Sequence, residues 1–173
     1  MTPSLTETQF ETLLRAFVAQ ILPGLEMTVG QLNRVGEPTP DNYVIVWPIL
    51  RKRLSTTAVT WDESAMGNPS VQDNTECLRI DMQMDFHGAD STDNGQVFAT
   101  LFRSGFACDY FQGTGFQPNY CTDGAQMAFI DGSDQFQDRW TLSAVFDANI
   151  TVSTPQQFAN KVTVDLEAVI SST

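Results

Sequence analysis

Apolar residues near the start of the chain return every three or four positions: Phe10, Leu13, Leu14, Phe17, Val18, Ile21 and Leu22. That stripe predicts an amphipathic helix with one face on a core. Ser4 and Glu7 have capping-box spacing ahead of it, and Pro23 and Gly24 stop it. The period then drops to two. Tyr43 to Leu54, YVIVWPILRKRL, reads as a strand whose apolar first half predicts burial on both faces. Pro48 marks an edge position or a bulge within it. The clearest strand follows, where Leu78, Ile80, Met82, Met84 and Phe86 alternate with Arg79, Asp81, Gln83, Asp85 and His87. One of its faces belongs to a core; the other is wet or meets a neighbouring subunit.

Residues 25–42 and 56–75 carry no such pattern and read as long loops, which in a compact domain are functional or mobile. Asp90 is placed to cap a second helix, with Asp93 in its first turn and Val97, Phe98, Leu101 and Phe102 on its apolar side. Gly105 is expected to end it. Residues 106–126 read as irregular, with room for a short strand near Tyr120. Ala128 to Ile130 predicts a short strand, and Asp131-Gly132 a hairpin turn. Trp140, Leu142, Ala144, Phe146, Ala148, Ile150 and Val152 then alternate with polar residues in a long strand that Pro155 breaks. Val162, Val164, Leu166 and Ala168 predict a final strand. The order suggests an α+β fold: a mainly antiparallel sheet with two helices on one face, plus a β-hairpin.

Length and composition narrow the class. At 173 residues the chain is expected to form one domain over 1–173 and to bury a core without disulfides or metal. Nine Lys and Arg stand against 21 Asp and Glu, a net charge of −12. Such a surface repels phosphate, so general nucleic-acid binding and docking on anionic membranes are excluded. It suits a surface that DNA slides past. The N-terminal MTPSLTETQF lacks a basic n-region, and no apolar run has the length of a membrane span, so a soluble cytoplasmic chain is expected. Cys77, Cys108 and Cys121 are odd in number and have no CxxC spacing, which favours free thiols over a Cys108–Cys121 bridge.

No stretch assembles a catalytic constellation. Asp131, Ser133 and Gln135 begin a calcium-loop pattern, but Phe136 stands where the loop needs glycine and the closing Glu is missing. The acidic run is therefore read as a solvated turn. His87 is the sole histidine, so any histidine chemistry must use it. It reads as a surface or cap-region residue, with a small hydrolase as the rival. No GxSxG surrounds any serine. Gly113 and Gly115 form a GxG without a strand-to-helix setting, a weak nucleotide signal. Asp81 and Asp85 share a strand face, but Arg79 beside them suggests a ladder of ion pairs rather than acid–base chemistry. Arg51, Lys52 and Arg53 place three of the nine cations together. That cluster is either a solvated strand end or a contact for an acidic partner, another copy of this chain included. No cofactor is called for.

Longer strings carry a resemblance. MQMDFHGADSTDNGQVFATLFRSGFACDYF and QPNYCTDGAQMAFIDGSDQFQDRWTLSAVFDANITVSTPQQFANKVTVDLEAV resemble the neck terminator (tail terminator) proteins of long-tailed bacteriophages. GQLNRVGEPTPDNYVIVWPIL and RLSTTAVTW are similar to that family as well. The densest strings are LFRSGFACDYF, DQFQDRWTLSAVF and PQQFANKVTVDL, and the likeness covers most of 30–168. It implies a non-catalytic virion protein in the neck of the phage, assembled in the host cytoplasm. The implied assembly is a hexameric ring that caps the tail tube protein and receives the head-tail connector or stopper. In contractile tails the sheath is a further partner. DNA passes through such a ring without specific binding, and no membrane is involved. A head-completion stopper and a tube subunit are the neighbouring structural alternatives. Arg51, Lys52, Arg53, Arg79, Asp81 and Asp85 are the candidate subunit-contact residues, Arg51 and Arg53 facing acids of an adjacent copy.

Overall fold

The computed structural model describes residues 2–29, 41–62, 70–127, 129–130 and 136–156. Within them the chain runs α1 (Glu7–Ile21), β1 (Glu26–Val29), β2 (Tyr43–Arg53), β3 (Ala58–Asp62), β4 (Ser70–His87), α2 (Ser91–Phe102), α3 (Gly105–Phe111), β5 (Phe116–Cys121), β6 (Ala125–Gln126), β7 (Phe129–Ile130), β8 (Phe136–Gln137) and β9 (Arg139–Gln156). The fold is α+β. The main sheet has the order β1-β2-β4-β9-β5, with β3 added to β4 and β6 to β9. Only β1 and β2 run parallel; the other pairs are antiparallel. Its spine is β4 against β9, paired without a register shift from Ser70↔Gln156 to His87↔Arg139.

The predicted alternation decides which way the sheet faces. Ile80, Met82, Met84 and Phe86 of β4 and Leu142, Ala144, Phe146 and Ala148 of β9 are buried on one face. Val44 and Val46 of β2 join them. Phe10, Leu14, Phe17 and Val18 of α1, Phe98 and Phe102 of α2 and Phe111 of α3 cover that face. Phe146 is central: its ring meets Phe10, Phe102 and Phe111 edge-on, with centroids 4.8, 5.0 and 5.4 Å away. Three helices thus occupy the face where two were expected.

The third helix, α3, falls where 106–126 read as irregular. Ser104 accepts a hydrogen bond from the Phe106 amide and starts it. It has seven residues, too few for a 3.6-residue period to emerge. Gly105 therefore opens α3 and does not close α2, which ends at Phe102. The capping box of α1 also moves. Thr6 and Gln9 form it, because Ser4 is tied to Thr151 of β9, its amide donating to the Thr151 carbonyl and its hydroxyl accepting from the Thr151 amide. Asp90 occupies the N-cap position of α2 without a capping bond; its carboxylate accepts instead from Asn42 Nδ2 at 3.0 Å.

The largest correction concerns 56–75. Ala58–Asp62 is a strand, paired with residues 71–75 at the start of β4. Residues 58–61 and 71–75 are all exposed or only half-buried, Val59, Trp61 and Val71 among them, so this part of the sheet carries no burial alternation for a sequence to display. Pro155 does not break β9; it lies one residue before the strand's end. The Asp131-Gly132 turn and the calcium-loop residues beside it lie outside the described residues, although β7 and β8 on either side pair antiparallel. The final strand expected over 162–168 also lies outside them. Among the described residues all three cysteines are free thiols, Cys108 exposed and Cys121 buried. Burial pushes the Cys121 thiol up to about 11, with nearby Arg103 pulling it down.

Candidate subunit-contact surfaces

A bulge between Pro48 and Leu50 sets the geometry of the basic strand end. Before it, Val44 and Val46 lie opposite Phe86 and Met84, on the helix side. After it, Leu50 lies opposite Asp81, Arg51 opposite Ile80, Lys52 opposite Arg79 and Arg53 opposite Leu78. The extra residue shifts the strand's phase by one. Arg51 and Arg53 therefore point to the helix side, while Leu50 and Lys52 point to the other. The Pro48 expectation is met, because β1 ends opposite Val46 and leaves the strand's outer edge open from there on among the described residues. Arg51 confirms the phase by reaching Glu7 of α1 at 3.3 Å, with both side chains about half exposed. An ion pair of that kind is worth well under ~1 kcal/mol.

No described helix covers the opposite face of the sheet. Arg79, Asp81 and Asp85 all lie there, with Lys52 directly across from Arg79 and diagonal to Asp81. They do not form the expected ladder. Arg79 crosses to β9 and bonds both Asp147 oxygens, at 3.0 and 3.3 Å. Asp147 is its direct cross-strand partner, nearer than the acids two and six residues along β4. The Asp147 bond raises the Arg79 pKa, with burial acting against it. Asn119, at the β5 bulge, donates to the same carboxylate at 2.6 Å. Asp85 is only 3% exposed and accepts from Gln83 at 3.0 Å and from Thr141 at 2.7 Å. A buried carboxylate held in this way is structural. Asp81 is half-buried, and its Oδ1 is closed off from solvent without a hydrogen-bond donor.

His87 corrects the wet-face reading. It is 4% exposed and stacks on Tyr43 of β2, with ring centroids 4.6 Å apart and planes within 7°. The two are direct cross-strand neighbours, and the turn at Gly88 follows at once. Burial lowers the His87 pKa below its ordinary 6.5; Asp85 opposes this and Arg139 adds to it. The folded chain therefore prefers neutral His87, and below 6.5 the unfolded chain binds more protons. This contribution leaves stability intact above pH 6.5 and erodes it as pH falls from there through the folded-state pKa. The wild-type melting temperature is expected to fall more steeply than that of His87→Asn between about pH 7 and pH 5. Equal slopes for the two proteins would refute it.

The sequence reading missed Trp61 and Val59 on β3, which are 55% and 39% exposed. The β-branched run TTAVTW was their signal. It also missed Asp147 and Asn119, whose part depends on a cross-strand register that one sequence does not reveal. Among the described residues no group of His, Cys, Asp and Glu is arranged to hold a metal ion, and no helix is long and apolar enough to cross a membrane. A groove of about 410 Å³ is lined by Leu5, Thr8, Gln9, Thr12, Leu13, Thr114 and Phe116, none of them an ionisable group.

A family model described as phage neck terminator protein matches residues 8–169, from α1 to near the C-terminus. The chain belongs to the phage neck terminator family. No curated protein matches it. The family is a structural one of the phage neck and tail, so the residues that matter on this fold are those that meet other proteins. For a neck terminator, the half-wet sheet face and the basic strand end are the surfaces to weigh.

Proposed function

We propose that this chain forms a hexameric ring that caps the tail tube once it is complete and offers its far side to the head-side connector. The observation that carries the reading is the family match over 8–169. The ring is a scaffold without catalysis. A chain of net charge −12 supports the reading, because an acidic lumen lets DNA pass without gripping its phosphates. Contacts between copies run through Arg51 and Arg53 on the helix side of the basic strand end and through the face that carries Lys52, Arg79 and Asp81 on the other, with Asp85 buried beneath it. An interface between unlike surfaces closes into a ring when its rotation allows. In a contractile phage the last sheath ring is a further neighbour.

Electron microscopy of lysates from a phage lacking this gene tests the reading. Tails of abnormal length, or finished tails beside unattached full heads, are expected. Normal tails joined to heads would overturn it. Reversing charge at Arg51 and Arg53 together is expected to impair assembly while the chain stays folded, since Arg51 makes only a weak, half-exposed pair with Glu7 and Arg53 pairs with no described residue. Rings formed as readily as by the wild type would refute that part.

A further inference from the structure

An edge strand leaves a row of backbone N–H and C=O groups unpaired, and proteins guard such rows with short strands, bulges, proline or charge. Among the described residues the main sheet is guarded at every edge but one. The open edge of β2 has Pro48, the bulge that follows it and the run Arg51-Lys52-Arg53. β5 has Pro118 and a bulge of its own. β1 is four residues long, and its Met27 carbonyl accepts from Arg15 at 2.7 Å. β6 is two residues long. β3, AVTWD, has no proline, bulge or basic residue. It pairs with β4 alone, so its outer side is open among the described residues. Val59 and Trp61, opposite Asn74 and Gln72, share one of its faces and are both exposed. A strand of this kind is a template for one more strand.

We propose that β3 receives the segment Lys161–Asp165 of a second copy of this chain as an added antiparallel strand. This rests on the reading that copies assemble, and adds a joint to it. The segment lies outside the described residues; its sequence supplies the match. Laid antiparallel, KVTVD sets Lys161 opposite Asp62, Val162 opposite Trp61, Thr163 opposite Thr60, Val164 opposite Val59 and Asp165 opposite Ala58. Opposite charges, a β-branched residue against an aromatic one, and threonine against threonine are favourable cross-strand pairs. Laid parallel, the same five residues put Asp165 opposite Asp62, and like charges in that position are unfavourable. The donor is a second copy because the chain offers its own segment no easy route. A hairpin return along β9 is taken: Pro3 and Ser4 already pair with Val152 and Thr151 on the side away from β4. Asp62, Val71 and Pro155 share one row across the sheet, so a strand outside β3 stands three strand spacings from β9, about 14 Å. The four residues 157–160 reach about 14 Å when fully extended, which leaves nothing for turning out of β9 and back along β3. Exchange of this kind closes as a two-fold dimer when it is reciprocal, and builds a ring or filament when each copy passes its segment onward.

Cross-linking of the full chain tests this, with Cys108→Ser throughout to remove the exposed thiol. Val59→Cys and Val164→Cys proteins, mixed and oxidised, are expected to give a disulfide-linked pair of chains. Val59→Cys mixed with Thr163→Cys, whose new thiol belongs to the other face of the strand, is expected to give at least tenfold less. A protein carrying both Val59→Cys and Val164→Cys that closes the bridge within one chain at low concentration would overturn the exchange. In sedimentation velocity, Val162→Asp together with Val164→Asp is expected to weaken assembly at least tenfold while the monomer melts as the wild type does. A lowered melting temperature with assembly intact would assign the segment to its own chain and overturn the proposal. Assemblies that form without the 59–164 bridge and ignore the two aspartates would overturn this joint and leave the ring standing. A bridge found only in dimers, at every concentration, would overturn the ring and leave the joint. A wild-type chain that stays monomeric at every concentration would overturn both.

Discussion

Phe146→Ala is expected to cost about 3–5 kcal/mol, the range for deleting a buried aromatic ring. Phe146 lies at 0% exposure in the middle of β9, under three helices at once. Its ring meets Phe10 of α1, Phe102 of α2 and Phe111 of α3 edge-on, so one deletion loosens the contact of all three helices with β9. Edge-to-face pairs add to the burial term, roughly 0.5–1.5 kcal/mol each. The site cannot collapse easily, because β9 is fixed by register on both sides. A loss of this size is a large part of a typical margin of about 5–15 kcal/mol. For a chain of this length it lowers the melting temperature by roughly 10 °C. Urea denaturation reads it as a fall in midpoint at constant slope. Phe106→Ala is the comparison: Phe106 is 41% exposed and is expected to cost under about 1 kcal/mol. Similar losses for the two variants would mean that the ring cluster is not the keystone described.

Much of this core could be read from the sequence, and the reason is periodicity. The α1 stripe named Phe10, the second helix named Phe102, and the alternation in β4 and β9 named the sheet residues beside Phe146, whereas Phe111 was not named. What periodicity could not name were elements without a buried face or without enough turns. None of the described β3 side chains and none of those at 71–75 of β4 is fully buried, so their sequence looks like loop. α3 is seven residues long and shows its helical character through the Ser104 cap alone. The candidate contact residues were legible as types but not as partners. Arg79 looked paired with its strand neighbours, whereas the register hands it Asp147. Arg51 to Arg53 looked like one patch, yet strand alternation sends Lys52 to the face opposite its two neighbours, and the bulge before them decides which face is whose. His87 looked wet because its alternation partners were polar. The Tyr43 ring that covers it comes from a strand more than forty residues earlier.

Gly88→Ala is expected to be the most damaging loss of a glycine in the described chain, and Gly105→Ala to have the opposite sign. Gly88 joins β4 to α2 at φ +100°, a conformation that a side chain makes costly by about 1–3 kcal/mol. A Cβ there would also run into the Asp41 carbonyl oxygen and Asn42 Oδ1, and would sit 3.1 Å from the Asn42 Cα. Asn42 Oδ1 could swing away, though it would abandon the Asp90 amide that donates to it. The Asp41 oxygen is backbone and has no rotamer to change. Overlap of this kind adds roughly 1–3 kcal/mol. Gly105 has ordinary backbone, sits at the first position of α3, and a Cβ there meets nothing within 4 Å. Alanine at such a site is expected to stabilise by about 0.4–1 kcal/mol, by restricting the unfolded chain and favouring helix. Denaturation of the two variants side by side cancels what they share, the simple addition of a methyl group. A Gly88→Ala protein as stable as Gly105→Ala would show that the β4–α2 junction does not hold the 41–42 segment against it. The damage at Gly88 is also expected to reach the neighbouring His87–Tyr43 stack, because Tyr43 follows directly on Asn42. A Gly88→Ala chain should therefore lose the steep acid dependence that His87 confers as well as stability at neutral pH.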